Sequence, residues 1–265
     1  MDKYSTEFYG IISALESQKN TLQEVILESC VFSAEFEVLN NCKNLETLRI
    51  LDCDRELLKI LDYNIITLEI YYFQIDVSII VQILEKIGIL LQRLKVVTGT
   101  VIREESLLLE ALKSFCPNII YLYIMNIGLS TQLLELIGDL QKLQFLSIGY
   151  AYNTPKEERK IRVMQFAKIL PSTLQYLDIA LDKADNLLDS FIDILLDHCN
   201  APLKKLLISN LDNERNTKAL IRYCTRIRTL NYVGIVKYHD LGYDIRNELE
   251  KYVTLVPYQH IVVNC

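Results

Sequence analysis

The chain is predicted to fold as an α/β solenoid, and three observations predict it. A short apolar pattern, Leu-x-x-Leu-x-Ile or a near match, begins at Leu22, Leu45, Ile65, Leu91, Ile119, Leu143, Leu174, Leu203 and Ile227. These nine copies lie 23, 20, 26, 28, 24, 31, 29 and 24 residues apart, which brackets a repeat period of roughly 20–29 residues. Between copies the apolar residues take helical spacing, as in Val77, Ile80, Val81 and Leu84, or Leu108, Leu109, Leu112 and Phe115.

One copy shows how the pattern dictates structure. In Leu45-Glu-Thr-Leu48-Arg-Ile50 an extended backbone sends Leu48 and Ile50 to one side and Thr47, Arg49 and Leu51 to the other. Each repeat then reads as strand, turn and helix, and no repeat can bury its apolar face alone. Stacking buries it. The expected fold is a leucine-rich-repeat horseshoe with a parallel sheet on the concave face and helices on the convex face.

Taken in order, residues 1–20 read as a helix or partial repeat, because Phe8, Ile11, Ile12 and Leu15 follow i, i+3, i+4, i+7 spacing. Residues 21–252 hold the nine repeats. A helix is expected near Asp240 to Tyr252, and Tyr258 to Val263 reads as a tenth strand within a cap over residues 253–265. With only 8 Gly and 5 Pro there is no linker or low-complexity stretch, so a single domain is expected.

Composition narrows the function. A formal net charge of −6 argues against general nucleic-acid binding, which needs Lys and Arg to replace phosphate counterions. The start, MDKYSTEFYG, lacks the organisation of a secretory signal, and the apolar stretch from Ile79 to Leu94 is broken by Gln82, Glu85, Lys86 and Gln92. A chain with no membrane association is expected, cytoplasmic or nuclear, and monomeric. No Gly-rich phosphate loop or metal-spaced histidine pair occurs, so neither an enzyme nor a cofactor or metal site is expected. The cysteines are period-locked: Cys42, Cys116 and Cys224 lie three residues before a copy, Cys199 four before, and Cys30 and Cys53 eight after the copies' first leucines. Such placement reads as packing by a small, weakly polar hydrophobe.

Two fragments carry a signature: Cys42-Lys-Asn44-Leu45-Glu-Thr-Leu48-Arg-Ile50 and Cys116-Pro117-Asn118-Ile119-Ile-Tyr-Leu122-Tyr-Ile124. They resemble the cysteine-containing, ribonuclease-inhibitor-like repeats of F-box proteins, the substrate receptors of cullin-RING ubiquitin ligases. LLKILDYNIITLEI, LLLEALKSFCPNIIYLYI, STLQYLDI and NAPLKKLLI are similar to the expanded F-box and leucine-rich-repeat-like families of arbuscular mycorrhizal fungi. The resemblance covers Phe8 to Cys265 and implies the substrate-binding part of a ligase receptor, with cullin-RING components as partners where an F-box is supplied upstream. The F-box itself is not expected here, since residues 1–20 read as a solenoid helix. A free-standing scaffold or inhibitor with no ubiquitin link is the alternative.

The repeat register defines a display face at the third, fifth and seventh positions of each copy. From the ninth copy these are Thr229, Asn231 and Val233. On the whole face Glu24, Glu28, Glu69 and Asp178 balance Arg49, Arg93, Lys95 and Lys205, while aromatic residues gather in the middle copies. Binding hot spots are enriched in aromatic residues and Arg near the centre of an interface. A protein partner is therefore expected on the concave face over Tyr71, Arg93, Lys95, Tyr121, Tyr123, Phe145, Tyr176 and Asp178. Nine strands at about 4.8 Å with three displayed residues each offer about 400 Å², half the roughly 800 Å² of a standard interface side. The loops after the strands, with Tyr72, Phe73, Tyr150 and Tyr152, are expected to contribute, and Asn153 to Lys160 reads as a solvated helix start.

Overall fold

A computed structural model describes residues 5–60, 64–150, 156–179, 191–208, 211 and 213–261. The chain divides into two compact units, residues 1–119 and 120–265. The first holds α1 (Ser5–Gln18), β1 (Glu24–Glu28), β2 (Thr47–Leu51), β3 (Thr67–Tyr72), α2 (Val77–Ile87), β4 (Arg93–Thr98) and α3 (Glu105–Phe115). The second holds β5 (Tyr121–Ile127), α4 (Thr131–Asp139), β6 (Phe145–Tyr150), α5 (Lys156–Ile169), β7 (Tyr176–Asp178), α6 (Ile192–His198), β8 (Lys205–Ile208), α7 (Glu214–Ile227), β9 (Tyr232–Ile235), α8 (Tyr243–Leu249) and β10 (Thr254–Pro257).

Within each unit neighbouring strands are parallel and follow chain order. In the first unit Leu48, Leu68 and Leu94 stack in register, as do Ile50, Ile70 and Val96, and all six are at most 1% exposed. Burying one such side chain is worth about 1.5–3 kcal/mol. The helices close the other side of this core: α2 turns Val77, Ile80, Ile83, Leu84 and Ile87 inward and packs against α3. At Gly88, just after α2, the next repeat approaches closely: a Cβ there would lie 2.7 Å from the Phe115 carbonyl oxygen and 2.9 Å from Cys116 Sγ.

Helix starts follow capping chemistry. Asp76, Ser130 and Asn213 accept the N–H of Ser78, Leu133 and Asn216 at 3.1, 3.2 and 2.7 Å. The helix predicted near residues 1–20 is α1; nothing is described of the side chains of Phe8 and Ile11.

The expected helix is replaced in the first two connections between strands. Between β1 and β2, and between β2 and β3, the connections are 3₁₀ helices, Ala34–Asn41 and Arg55–Ile60. Both repeats are short, 23 and 20 residues, but length alone does not decide the form, because the 22 residues from Tyr232 to Thr254 hold α8.

Two registers also differ from expectation. Ile227 ends α7 instead of opening a strand, because Arg228 takes the left-handed conformation (φ 53°) and stops the helix. The ninth strand therefore reads from Leu230, with Val233 and Ile235 fully buried opposite Leu206 and Ile208. Val233 is thus core, Tyr232 takes the display position, and Cys224 lies inside α7 instead of in a turn. The tenth strand is Thr254–Pro257, whereas Tyr258–His260 forms an exposed 3₁₀ turn. Leu255 and Val253 are the buried apolar residues at this end, at 5% each, and Pro257 ends the ladder because it has no N–H to donate.

Candidate interaction surface

The exposed sheet face of the first unit is a charge ladder. Arg49 lies between Glu24 at 3.2 Å and Glu69 at 3.3 Å, one strand to either side. The Tyr71 hydroxyl donates to Glu69 Oε2 at 3.1 Å, and Lys95 Nζ sits 5.1 Å from the Tyr71 ring centre. Burial, then the neighbouring Glu69 charge and its hydrogen bond, push the Tyr71 phenol up to about 12. One arginine thus serves two carboxylates of this face. Arg93 shares this face, in register with Thr67.

The second unit presents aromatic residues. Tyr121, Phe145, Tyr176, Lys205, Tyr232 and Thr254 occupy one row across β5 to β10. Ring centres are 6.2 Å apart for Tyr121 and Phe145 and 5.9 Å for Phe145 and Tyr176, with tilted planes, within the range in which aromatic pairs attract. Tyr176 is only 6% exposed and braces the row from within, whereas Tyr232 is 44% exposed. In the next row Tyr123 faces Ser147, and Ser147 Oγ donates to Asp178 Oδ2 at 2.9 Å.

Of the eight expected contact residues, Tyr71, Arg93 and Lys95 thus lie on the first unit, and Tyr121, Tyr123, Phe145, Tyr176 and Asp178 on the second. The sequence reading missed Tyr232. Its signal was present in Leu230-Asn-Tyr-Val233-Gly-Ile235, an alternative register three residues on. Gly234 lies beside it, and there the space of a side chain is taken by Ile261, whose Cδ1 would be 2.8 Å from an added Cβ. Ile261 and Leu207 thus fill the β8–β9 end of the face, and Leu207 is 6% exposed.

In the loops after the first unit's strands Phe73 is 74%, Val31 68% and Val101 44% exposed. Tyr72 is half-buried. The Tyr150 side chain and residues 151–155 lie outside the described residues, while Lys156 to Lys160 open α5.

The buried cysteines pack as expected. Cys42, Cys116 and Cys199 cap helix ends with their backbone N–H groups. Burial pushes the Cys116 thiol up to about 12 and that of Cys224 up to about 11. Among the described residues no group of three or more His, Cys, Asp and Glu side chains could hold a metal ion, and no helix is long and apolar enough to cross a membrane.

No family model and no curated protein matches the chain. Among solved structures, the leucine-rich repeat-containing protein LegL7 of Legionella pneumophila superposes with a TM-score of 0.56 at 12% identity, over 94% of this chain and 87% of that one. The fold is that of a leucine-rich-repeat solenoid. A protein of Bacteroides fragilis superposes with a TM-score of 0.50 at 14% identity, over 96% of this chain and 71% of that one. At these identities what the solenoid shares with both is its backbone architecture.

Proposed function

We propose that this solenoid is a protein-recognition module whose partner docks on the exposed sheet face. The observation that carries the reading is the row Tyr121, Phe145, Tyr176, Lys205 and Tyr232. Aromatic residues held rigidly by neighbouring strands lose little entropy on binding, which is why such residues dominate interface energetics.

The finer reading is a substrate receptor of a cullin-RING ubiquitin ligase in the cytoplasm or nucleus. Its support is the resemblance of the Cys42 to Ile50 and Cys116 to Ile124 fragments to F-box protein repeats. Affinity purification of the chain from its own cells tests both levels. Partners captured by the native protein and lost with the Tyr121→Ala/Tyr232→Ala variant support recognition by the face; a loss of about tenfold or more in affinity is expected. Unchanged capture by that variant sinks the docking site. Recovery of the cullin and its adaptor supports the ligase role, and a partner recovered without them makes the solenoid a free-standing binder.

A further inference from the structure

The exits of β1 and β2 place two cysteines side by side. The strands pair in register up to Glu28 and Leu51, and the ladder runs on past their ends: the Ser29 N–H donates to the Leu51 carbonyl and the Asp54 N–H to the Cys30 carbonyl, both at 2.8 Å. Cys30 therefore stands opposite Cys53. Paired strands run about 4.7–4.9 Å apart, inside the roughly 4.4–6.8 Å between Cα atoms that a disulfide spans. The two loops also turn alike. Ser29 and Asp52, one residue before each cysteine, take the left-handed backbone (φ 52° and 48°). Each thiol then donates to the carbonyl two residues back, Cys30 to Glu28 and Cys53 to Leu51, at 3.4 Å.

The contact between the two is direct. The Cys30 N–H donates to Cys53 Sγ at 3.4 Å. Burial raises the Cys53 thiol above its ordinary value; the Cys30 N–H opposes that shift, and the Cys30 thiol adds to it. Access separates them. Cys53 is 6% exposed, whereas Cys30 alone among the described cysteines is not buried. On the far side of Cys53, carrying the β2–β3 register on by two residues puts Phe73 opposite it, so this row of thiols has two members.

We propose that Cys30 and Cys53 are a reversible oxidation site, which a small-molecule disulfide such as oxidised glutathione converts to a disulfide tying the β1 exit to the β2 exit. Cys30, the accessible thiol, loses its proton and attacks one glutathione sulfur, forming a mixed disulfide and releasing one glutathione thiolate. Cys53 loses its proton and attacks Cys30 Sγ, which forms the internal bond and releases the second glutathione. Two electrons pass from the cysteine pair to the glutathione disulfide, and the two thiol protons end on the two glutathiones released. Within the chain, closure gives up only the weak S–H bonds to the Glu28 and Leu51 carbonyls. The inference is separate from the protein-recognition reading, since neither cysteine belongs to the aromatic row.

The test equilibrates the full chain with mixtures of reduced and oxidised glutathione, quenches with acid, blocks free thiols and maps peptides by mass spectrometry. Cleavage after glutamate isolates Cys30 in residues 29–35, apart from Cys42. A peptide pair joined through Cys30 and Cys53 is expected, exceeding the Cys30–glutathione adduct by about tenfold or more because the second step is intramolecular, and vanishing on treatment with dithiothreitol. In Cys53→Ser the glutathione should stay on Cys30, and in Cys30→Ser the Cys53 thiol should stay reduced. The proposal is overturned if native Cys30 carries as much glutathione as it does in Cys53→Ser, if it stays reduced in every mixture, or if it joins another cysteine instead. Equal reaction of Cys53 with and without Cys30 would also overturn it, because the buried thiol would then not depend on its neighbour.

Discussion

At the scale of single residues, burial dominates the chemistry of this chain. The Cys116 thiol has a reference value of 9.0 and is held near 12 in the fold because its anion would be stranded among apolar side chains. Cys224 and Tyr71 are shifted the same way. Below about pH 9 both folded and unfolded chains keep the Cys116 proton, so its full contribution to stability is present. As pH rises toward 12 the unfolded chain ionises first, and stability falls. Thermal unfolding followed at about pH 8 and about pH 10 should show a lower midpoint at the higher pH, and Cys116→Ala should show a smaller drop. A steeper drop in the variant would contradict the assignment. The same burial makes thiol labelling of the native protein favour Cys30, which alone among the described cysteines is not buried.

At the scale of elements, neighbouring repeats are tied by side chains that reach the backbone of the repeat before. Asn44, Asn64 and Asn118, each just before a copy of the pattern, donate to the carbonyls of Asn20, Lys43 and Ile89, with the latter two at 3.0 and 2.8 Å. Thr173 and Thr229 do the same in the second unit, reaching the Leu143 and Leu203 carbonyls at 2.8 and 2.9 Å. The recurrence of Thr229 at this position is independent support for the strand register that begins at Leu230. Helices are tied more strongly where charge is involved. Arg226 of α7 donates to the carbonyls of Leu196, Asp197 and Cys199 at 2.9, 3.0 and 2.7 Å, the end of α6 where the helix dipole is negative. Replacing Arg226 with Ala should destabilise the protein by about 1.5–3 kcal/mol, measured by urea unfolding. Replacing Arg222, whose bonds to Asp197 are on the surface, should cost about 1 kcal/mol or less. Equal losses would show that the α6 carbonyls do not need Arg226.

At the scale of the whole molecule, each repeat is stabilised by its neighbours, so damage should spread locally along the stack. Leu68 is fully buried between Leu48 and Leu94, and Leu68→Ala should cost about 2–5 kcal/mol. Hydrogen exchange should accelerate most in β2, β3 and β4 and least in β8 to β10, read by mass spectrometry of the full chain. Uniform acceleration would mean that the chain opens as one cooperative body. The exposed face is modular in the same way, with an aromatic row on one unit and a charge ladder on the other, each made from residues in consecutive repeats.

The recurring Leu-x-x-Leu-x-Ile pattern was enough to establish the parallel strands, their order, the buried ladders and most of the display face, because alternation and period are local properties that every copy repeats. The packing role of the cysteines was legible for the same reason. Three things were decided only in three dimensions. Whether a connection forms an α-helix or a 3₁₀ helix was not set by repeat length, since 23 residues hold a 3₁₀ helix between β1 and β2 and 22 hold α8 between β9 and β10. The ninth register depended on where Arg228 ends α7, since two apolar patterns three residues apart competed and burial of Val233 and Ile235 chose between them. The open space lined by Asp52, Asp54, Arg55, Tyr72, Phe73 and Gln74 depended on loops 20 residues apart in sequence that meet because β2 and β3 pair, and no motif within either loop announces the other.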